Sequence, residues 1–315
     1  MFDVVSMGEV VIDFSLCGKG NMGNPAYEMN PGGAPANCLV ANAALGGKTA
    51  FIGMVGNDTF GHFLHDSLAK YHVENRGIRF TDAGCTQLTF VDIDETGDRS
   101  FNFAKGTGTD AMLTVDDIDF SLIDETKIFH TPCVISRCEP GRTTVLSALK
   151  YAKEKGKIIS CDPNYRPGRW LGDKERAKRH FLEVMQYSDL VKVSEEEMSI
   201  ITGVGEDEYE KGAKMILDSG KTAVFVTMGP NGAYYATKED CGYVEGFKVN
   251  AVDTTGSGDA FMGTVHYYFT HDCGLPIREI VRRANAMGAL CATKPGAFDA
   301  MPTKEALYQF LGVTE

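Results

Sequence analysis

The chain has 315 residues, 43% of them hydrophobic, which is enough to bury a substantial core in one large domain. Its 43 acidic residues outnumber the 31 Lys and Arg, and the formal net charge of −12 argues against a nucleic-acid-binding protein. The nine cysteines show no paired zinc-ligand spacing, so we expect reduced thiols that lie mostly in the core. The sequence shows neither a secretory signal pattern nor an apolar run of membrane-spanning length, so we expect a cytoplasmic protein without membrane contact.

Short apolar runs alternate with longer amphipathic stretches along the chain. The runs rich in β-branched residues predict core strands at 4–8, 49–53, 127–131, 157–162, 190–193 and 223–227. Apolar residues at helical spacing predict helices at 34–45, 60–71, 141–155, 174–187, 209–218, 259–270, 277–293 and 304–311. This alternation predicts an α/β fold with a central, mostly parallel sheet flanked by helices.

One region departs from this alternation. Residues 86–93 and 99–103 alternate apolar and polar side chains around the turn sequence at 95–98, a pattern that predicts a β-hairpin. Because an isolated hairpin is barely stable in water, we expect it to pair with strand-forming sequence near 18–29.

The hairpin predicts a small β-sheet lid, formed from about 14–30 and 85–110, over the carboxyl edge of the main sheet. Repeats, low-complexity tracts and flexible linkers are lacking, so we predict one domain over 1–315 that carries this lid. A lid face that exposes apolar side chains would suit contact with a second copy, so a homodimer through the lid is a hypothesis. These side chains are Leu88, Phe90 and Phe101.

The most informative segment is the string Asp-Thr-Thr-Gly-Ser-Gly-Asp-Ala-Phe at 253–261, which opens a predicted helix. Gly256, Ser257 and Gly258 let the backbone come close to a ligand, and amides at a helix start point towards negative charge. This turn is therefore typical of an anion site. Asp259 beside it has two explanations, since a first-turn aspartate can be a plain helix cap or a general base. A Walker-type sequence is absent, which disfavours a P-loop enzyme.

The string at 253–261 resembles the second signature of the ribokinase-like (PfkB) carbohydrate kinases, whose pattern has Ala where this chain has Ser257. The family's first signature resembles Asn-Pro-Gly-Gly-Ala-Pro-Ala-Asn at 30–37. The likeness extends over essentially the whole chain and is nearest to the bacterial fructokinase branch, through strings at 99–101, 162–166 and 192–197. The resemblance implies a ribokinase-like fold and ATP-dependent phosphorylation of a sugar.

The resemblance also implies a role for each residue of the anion turn. Asp259 corresponds to the general base, and the amides of Gly256, Ser257 and Gly258 correspond to donors to the transferring phosphoryl group. Phosphoryl transfer depends mainly on positioning and charge stabilisation, so this arrangement suits the chemistry. We expect that Asp259 needs no strongly raised pKa for this role.

Sugar binding is implied by the resemblance for a second set of residues: Asp13, Gly32, Gly33 and Asn37. Short carboxylates and amides on rigid elements suit vicinal hydroxyls, which both donate and accept hydrogen bonds. The alternative is that Asp13 and Asn37 only cap turns. A further set would close over or orient the sugar: Phe101, Phe103 and Arg166. For these residues, lid packing and a surface ion pair are the alternatives.

A third set resembles the family's nucleotide-binding positions: Lys192, Ser194, Thr227, Gly229, Gly232 and Asn285. Without the resemblance, the Gly-x-x-Gly of 229–232 after a strand indicates only a hairpin turn. Magnesium is expected to travel with the nucleotide phosphates. By resemblance Glu197 would organise Mg²⁺ through water, although Ser194 stands where the family motif has Asn. Asp253 and Thr255 resemble the start of a loop that binds a monovalent cation, which would be K⁺.

These residues lead to one main interpretation and two alternatives. The main one is an ATP-dependent kinase that phosphorylates a hexose hydroxyl, with D-fructose as the expected sugar and no nucleic-acid or membrane partner. The first alternative is a kinase of the same family that acts on 2-keto-3-deoxygluconate, ribose or a nucleoside. The second is a catalytically silent, sugar-binding regulatory protein, against which Asp259 and its glycines argue.

Overall fold

The computed structural model describes residues 1–93, 99–104, 108–271 and 273–313. The strands in this part of the chain are β1 (Phe2–Met7), β2 (Val11–Lys19), β3 (Pro25–Gly32), β4 (Thr49–Gly56), β5 (Val73–Thr81), β6 (Leu88–Ile93), β7 (Arg99–Phe103), β8 (Thr126–Pro132), β9 (Ile158–Asp162), β10 (Leu190–Ser194), β11 (Ala223–Thr227), β12 (Gly232–Thr237) and β13 (Cys241–Glu245). The helices are α1 (Ala34–Ala44), α2 (Thr59–Lys70), α3 (Phe120–Asp124), α4 (Gly141–Glu154), α5 (Lys174–Met185), α6 (Glu195–Thr202), α7 (Tyr209–Asp218), α8 (Ser257–Thr270), α9 (Ile277–Cys291) and α10 (Lys304–Leu311).

The large sheet has the order β13-β12-β11-β10-β9-β8-β1-β4-β5 among the described residues. In this spatial order, the seven neighbouring strands from β5 at one edge to β11 are parallel. The last two strands, β12 and β13, continue the sheet as an antiparallel hairpin. The predicted α/β fold with a mostly parallel sheet is therefore confirmed. All six predicted core strands and all eight predicted helices are present, with ends that differ by a few residues.

Helices cover both faces of the large sheet because successive strand residues point to opposite sides. On β1, Val4 belongs to a core formed with α1, α2, α8, α9 and α10. The next residue, Val5, belongs to a separate core formed with α3 to α7. Parallel strands that are covered on both faces expose their carboxyl ends at one edge of the sheet, which is where ligands bind in open α/β folds.

The predicted hairpin lies in a small second sheet with the order β3-β2-β6-β7. β6 and β7 are antiparallel, as predicted, while the turn sequence at 95–98 lies outside the described residues. The expectation that the hairpin pairs with residues near 18–29 is wrong in detail. This range spans the end of β2 and most of β3, and β2, which begins at Val11, is the strand that pairs with β6.

Helices α1 and α8 approach each other closely near the residues Asn37 and Asp259. A Cβ at Gly263 on α8 would clash with the carbonyl oxygen of Cys38 on α1, so only glycine lets the two helices come this near. Asn42 of α1 also donates to the Gly263 carbonyl oxygen at 3.1 Å. These contacts fix the start of α1, which carries Asn37, against the first turn of α8, which carries Asp259.

The cysteines are free thiols, as expected, but the expectation that most lie in the core is wrong. The buried ones are Cys38, Cys133, Cys161 and Cys291, and the exposed ones are Cys17, Cys85, Cys241 and Cys273. Cys138 is half-buried. The exposed thiols lie on the small sheet, on edge strand β13 and in loops, where helical or strand periodicity gives no information on burial.

Candidate active site

A cavity of 690 Å³ opens at the carboxyl edge of the large sheet, where the small sheet faces it. Among the predicted site residues, those that line the cavity are Asp13, Gly33, Asn37, Phe103, Arg166, Lys192, Ser194, Glu197, Thr255, Gly256, Gly258 and Asp259. The predicted residues that do not line it are Gly32, Asp253, Ser257, Thr227, Gly229, Gly232 and Asn285. The cavity therefore brings the anion turn and most of the expected sugar residues together.

The anion turn is built by the entry into α8. Gly256 has a φ of 81°, a left-handed conformation that favours glycine, and it places the first-turn amides at the cavity wall. A Cβ at Gly258 would lie 3.1 Å from the Lys192 Nζ, so a cation stands directly beside the turn. Helix-start amides and an ammonium group together favour a phosphate. The Ser257 amide instead donates to the Thr254 carbonyl oxygen at 3.2 Å, within the turn itself.

Asp259 lies in the first turn of α8 and is 7% exposed. Its Oδ2 accepts a hydrogen bond from Asn37 Nδ2 at 2.8 Å, and its Oδ1 accepts a longer one from Asn164 Nδ2 at 3.4 Å. Burial and the nearby Asp162 raise the pKa of Asp259 to about 6, against the opposing effects of Asn37 and two cations. The carboxylate is thus ionised at neutral pH and more basic than an exposed aspartate, which suits a general base.

Lys192 and Asp162 form a buried ion pair next to Asp259. The Lys192 Nζ lies 2.8 Å from Asp162 Oδ2, and both side chains are nearly inaccessible, at 7% and 3% exposed. Burial alone would lower the pKa of Lys192, but the attraction of Asp162 and Glu197 outweighs it and raises the pKa. Asp162 Oδ1 also accepts from the backbone amide of Asn164 at 3.0 Å, and this bond holds Asn164 near Asp259.

Asp13 is half-buried at the other end of the cavity, and its removal from bulk water raises the pKa of its carboxyl to about 7. Gly32 is required there because a Cβ would clash with the Asp13 carboxylate. Gly33 has a φ of 112° and no room for a side chain beside the Glu9 carbonyl oxygen. Asn37 lies inside α1 and donates to Asp259, so it orients the carboxylate and caps no helix.

Phe103 and Arg166 reach the same end from two directions. Phe103 ends β7 of the small sheet, and Arg166 follows β9 of the large sheet. Arg166 is half-buried and donates to the Tyr165 carbonyl oxygen at 3.1 Å, and its charge partly opposes the rise in the pKa values of Asp13 and Asp259. The alternative of a surface ion pair at Arg166 is therefore wrong. Phe101 lies opposite Val91 in the hairpin, and its side chain lies outside the described residues.

Glu197 and Ser194 form a capping box at the start of α6. The two carboxylate oxygens of Glu197 accept from the Tyr165 and Ser194 amides, each at 2.7 Å, and the Ser194 hydroxyl accepts from the Glu197 amide at 3.2 Å. Within the described ranges no group of three or more His, Cys, Asp or Glu side chains could hold a metal ion. Both oxygens of Glu197 already accept from backbone amides, so this carboxylate would suit contact through water with a Mg²⁺ that the phosphates carry.

The remaining expected nucleotide residues lie beyond the main cavity. Gly229 begins a short 3₁₀ turn that connects β11 to β12, so a hairpin turn describes the backbone of 229–232. Thr227 donates to the Val193 carbonyl oxygen at 3.3 Å. Asn285 of α9 donates to the carbonyl oxygens of Val244 and Glu245 at 3.1 and 3.3 Å. Val244 and Glu245 line a separate cavity of 440 Å³, which shares no lining residue with the first.

The expected monovalent-cation residues tie two loops together behind the anion turn. Asp253 is buried, and its carboxylate accepts from the Thr255 amide and from the Gly296 amide, both at 2.8 Å. The amides of Val252 and Asp253 donate to the Ala292 carbonyl oxygen at 2.7 and 3.1 Å. These bonds hold the 252–255 segment against the loop that contains Ala292 and Gly296, and backbone oxygens of such loops are ligands that a hard cation prefers.

Twelve residues of the cavity wall carry no role in the sequence analysis. Four of them with polar side chains are Glu9, Thr89, Asn164 and Arg169. Burial, followed by the charge of Asp110, raises the pKa of Glu9 to about 7. Asn164 stands in the Asp-Pro-Asn string, where its position directly after a core strand is a usable signal.

Comparison with known proteins bears on this geometry. Residues 1–304 match the family described as pfkB family carbohydrate kinase, which is nearly the whole chain. The chain belongs to the pfkB family of carbohydrate kinases. A curated relative is the probable fructokinase-6, chloroplastic, of Arabidopsis thaliana, at 40% identity over 98% of this chain and 82% of the relative.

Two similar solved structures hold ligands. A fructokinase from Xylella fastidiosa with bound ATP has a TM-score of 0.87 and 29% identity, and the match covers 99% of both chains. A double mutant of the fructokinase from Vibrio cholerae O395, in a form with bound fructose, ADP and potassium ion, has a TM-score of 0.86 and 34% identity over 98% of both chains. The predicted ribokinase-like architecture is confirmed by these likenesses.

Proposed function

We propose that this pfkB-family kinase transfers the γ-phosphate of ATP to a hydroxyl of D-fructose. The observation that carries the proposal is the position of Asp259, a buried carboxylate held by Asn37 at 2.8 Å on the wall of one cavity that also contains the anion turn. Fructokinases are among the curated relatives and among the ligand-bound structural neighbours of this chain. The same arrangement supports Asp259, Gly256 and Gly258 as catalytic residues.

The proposed mechanism needs little covalent chemistry from the protein. Asp259 accepts the proton of the sugar hydroxyl as that oxygen attacks the γ-phosphorus and the bond to ADP breaks. The amides at the start of α8 and the Lys192 ammonium stabilise the negative charge on the transferring group. Magnesium, where bound to the nucleotide, supplies further charge neutralisation. A monovalent cation is proposed near Asp253 and Thr255, behind the anion turn, and the Vibrio neighbour binds a potassium ion.

The charges around Asp13 favour an uncharged sugar over a sugar acid. We call the part of the cavity lined by Asp13, Thr89 and Phe103 the sugar end. Three acidic and three basic side chains influence one another there: Glu9, Asp13, Asp110, Arg137, Arg166 and Arg169. The carboxyl groups of Glu9 and Asp13 line this cavity, so a sugar acid such as 2-keto-3-deoxygluconate would place a further carboxylate beside them, whereas an uncharged sugar would not.

A panel of sugars at fixed MgATP tests this proposal. We expect the kcat/KM for D-fructose to exceed that for ribose, 2-keto-3-deoxygluconate and a nucleoside by roughly tenfold or more, because hydroxyl-specific sites reject poorly matched substrates strongly. Coupled measurement of ADP release gives the rates, and parallel assays in potassium and sodium buffers test the cation site. Efficient turnover of another panel member, with none of fructose, would overturn the substrate assignment.

The small sheet is proposed to act as a lid on a single kinase domain. Strands β2, β3, β6 and β7 stand over the sugar end, and the row that they form contributes Asp13, Thr89 and Phe103 to the cavity wall. Closure of such a sheet on bound sugar would exclude water from the γ-phosphate, which limits hydrolysis of ATP without sugar.

The outer face of the small sheet is proposed to mediate a homodimer. Its exposed apolar side chains include Leu16, Tyr27 and Phe90, which are 47%, 40% and 38% exposed, and Tyr27 packs edge-on against Phe90. An apolar face on a four-stranded sheet is a typical contact surface between copies. Leu88 is half-buried, and the side chain of Phe101 lies outside the described residues.

Sedimentation of a Phe90→Lys variant tests the dimer. We expect the wild type to sediment as a dimer and Phe90→Lys as a monomer, because a lysine buried in an apolar contact loses its hydration. Leu182→Lys is the matched control, since Leu182 is 46% exposed on α5, away from the small sheet. A wild type that sediments as a monomer at micromolar concentration would disprove this contact.

The location of the protein in the cell is a separate question. In the described part of the chain, no helix has both the length and the apolar character needed to cross a membrane. The Arabidopsis relative carries the word chloroplastic in its name. We propose a cytoplasmic location for this chain, which fractionation of the cells that express it would test.

A further inference from the structure

Arg169 lines the cavity next to the sugar end and contacts the small sheet at two points from outside that sheet. It ends a 3₁₀ turn, Pro167–Arg169, between β9 and α5 of the main body. The centre of its guanidinium group lies 4.2 Å from the ring centroid of Phe103 in β7. Its Nη1 donates to Gln87 Oε1 at 3.1 Å, directly before β6. One side chain of the main body therefore contacts both arms of the hairpin.

Phe103 stands at the end of a cross-strand row that faces the cavity. Asp13 is in register with Thr89, and Thr89 is in register with Phe103, so the three side chains lie side by side on one face. All three line the cavity. Arg169 therefore contacts the small sheet at the row that the proposed sugar would touch.

Thr89 connects this row to the carboxyl group of Asp13. The residue is 1% exposed, and its hydrogen-bonding contact with Asp13 opposes the burial that raises the pKa of that carboxyl. A sugar hydroxyl at the sugar end would meet the Asp13 carboxyl and the Thr89 hydroxyl together, because both residues line the cavity. Sugar binding would thus favour the position of the small sheet that Arg169 holds.

We propose that Arg169 is a positioning residue that latches the small sheet over the sugar end, so that sugar affinity and closure depend on its contacts with Phe103 and Gln87. A guanidinium group that stacks on a ring away from water is worth roughly a tenfold change in an equilibrium constant or more. Its role in sugar affinity rests on the proposed function, whereas its hold on the small sheet exists in the ligand-free structure.

Hydrogen exchange on the ligand-free protein tests the latch without any substrate. In Arg169→Met we expect amides of β6 and β7 to exchange roughly tenfold faster than in the wild type, since Phe103 and Gln87 lose their contacts with Arg169 of the main body. Amides of β8 and β9 should keep their rates. Arg142→Met is the control, because Arg142 pairs with Glu183 on the surface at 2.6 Å, away from the small sheet. Unchanged exchange in β6 and β7 would overturn the latch.

Kinetics then test the link to sugar. With fructose as the probe, Arg169→Met should raise the KM for fructose by roughly tenfold or more, change kcat less, and increase ATP hydrolysis in the absence of sugar. Arg169→Lys, which keeps the charge but not the planar stacking, should recover only part of the effect. Phe103→Leu combined with Arg169→Met should be less than additive.

The two hypotheses fail in distinguishable ways. A wild type that does not phosphorylate fructose contradicts the proposed function, and the exchange experiment still reports on the latch. A fructose-active wild type whose Arg169→Met variant keeps its KM and its sugar-free ATP hydrolysis contradicts the role of Arg169 in sugar affinity. Full additivity of the Arg169 and Phe103 substitutions leads to the same conclusion.

Discussion

Turnover will fall by roughly two to four orders of magnitude when Asp259 is replaced with Asn, because the attacking hydroxyl loses its proton acceptor. Asn has nearly the same size, and the amides that form the anion turn belong to the backbone, so sugar and ATP binding should persist. Steady-state rates and calorimetric binding of each ligand give the two readouts. Turnover at the wild-type rate would refute the role of Asp259, and a wild type that binds sugar without turnover would indicate the regulatory alternative.

The same variant should be more stable than the wild type without ligands. The pKa of Asp259 is raised to about 6 in the folded state. Its contribution to the free energy of unfolding is therefore fully present below the unfolded value of about 3.8 and is lost as the pH rises through about 6. The amide of Asp259→Asn does not titrate. The free energy of unfolding of the variant minus that of the wild type should therefore be about 1–3 kcal/mol larger at pH 8 than at pH 4, as measured by urea unfolding. If the variant and the wild type differ in stability by the same amount at both pH values, the pKa of Asp259 is not raised in the folded state.

The fold was largely accessible from the sequence because its central elements have clear periodicity. Core strands such as β8 and β11 are short β-branched runs, and parallel strands that are covered on both faces show this pattern. The edge strand β5 was not predicted. Its sequence, Val-Glu-Asn-Arg-Gly-Ile-Arg-Phe-Thr, carries charges and a glycine, which suit an edge and obscure the alternation.

The site was accessible only where chemistry is local in sequence. The anion turn and Asp259 lie within one continuous string, so the order of residue types indicated both. The groups that hold Asp259 come from elsewhere, since Asn37 and Asn164 are 222 and 95 residues away. No periodicity relates residues that are so far apart, and only the meeting of α1, β9 and α8 brings them together. The latch at Arg169 escapes sequence reasoning for the same reason, because its partners lie in the small sheet.

Lys192→Met should lower the free energy of unfolding by about 3–5 kcal/mol, because it leaves the buried Asp162 carboxylate without its partner. The Lys192 Nζ lies 2.8 Å from Asp162 Oδ2, and both side chains are nearly inaccessible to water. Turnover should fall by roughly two orders of magnitude or more, since the cation beside Gly258 no longer stabilises the transferring phosphoryl group. Denaturant unfolding and steady-state kinetics measure the two losses separately.

A double variant separates the two roles of Lys192. In Lys192→Met with Asp162→Asn, the buried Asp162 charge is removed together with its partner, so much of the lost stability should return. The side-chain oxygen of Asp162→Asn can still accept a hydrogen bond from the Asn164 amide, which keeps the loop that supports Asp259. Turnover should stay low, because the double variant restores packing but supplies no positive charge to the phosphate. Recovery of turnover together with stability would mean that Lys192 acts only as a structural counter-ion, and that the amides at the start of α8 stabilise the phosphate without its help.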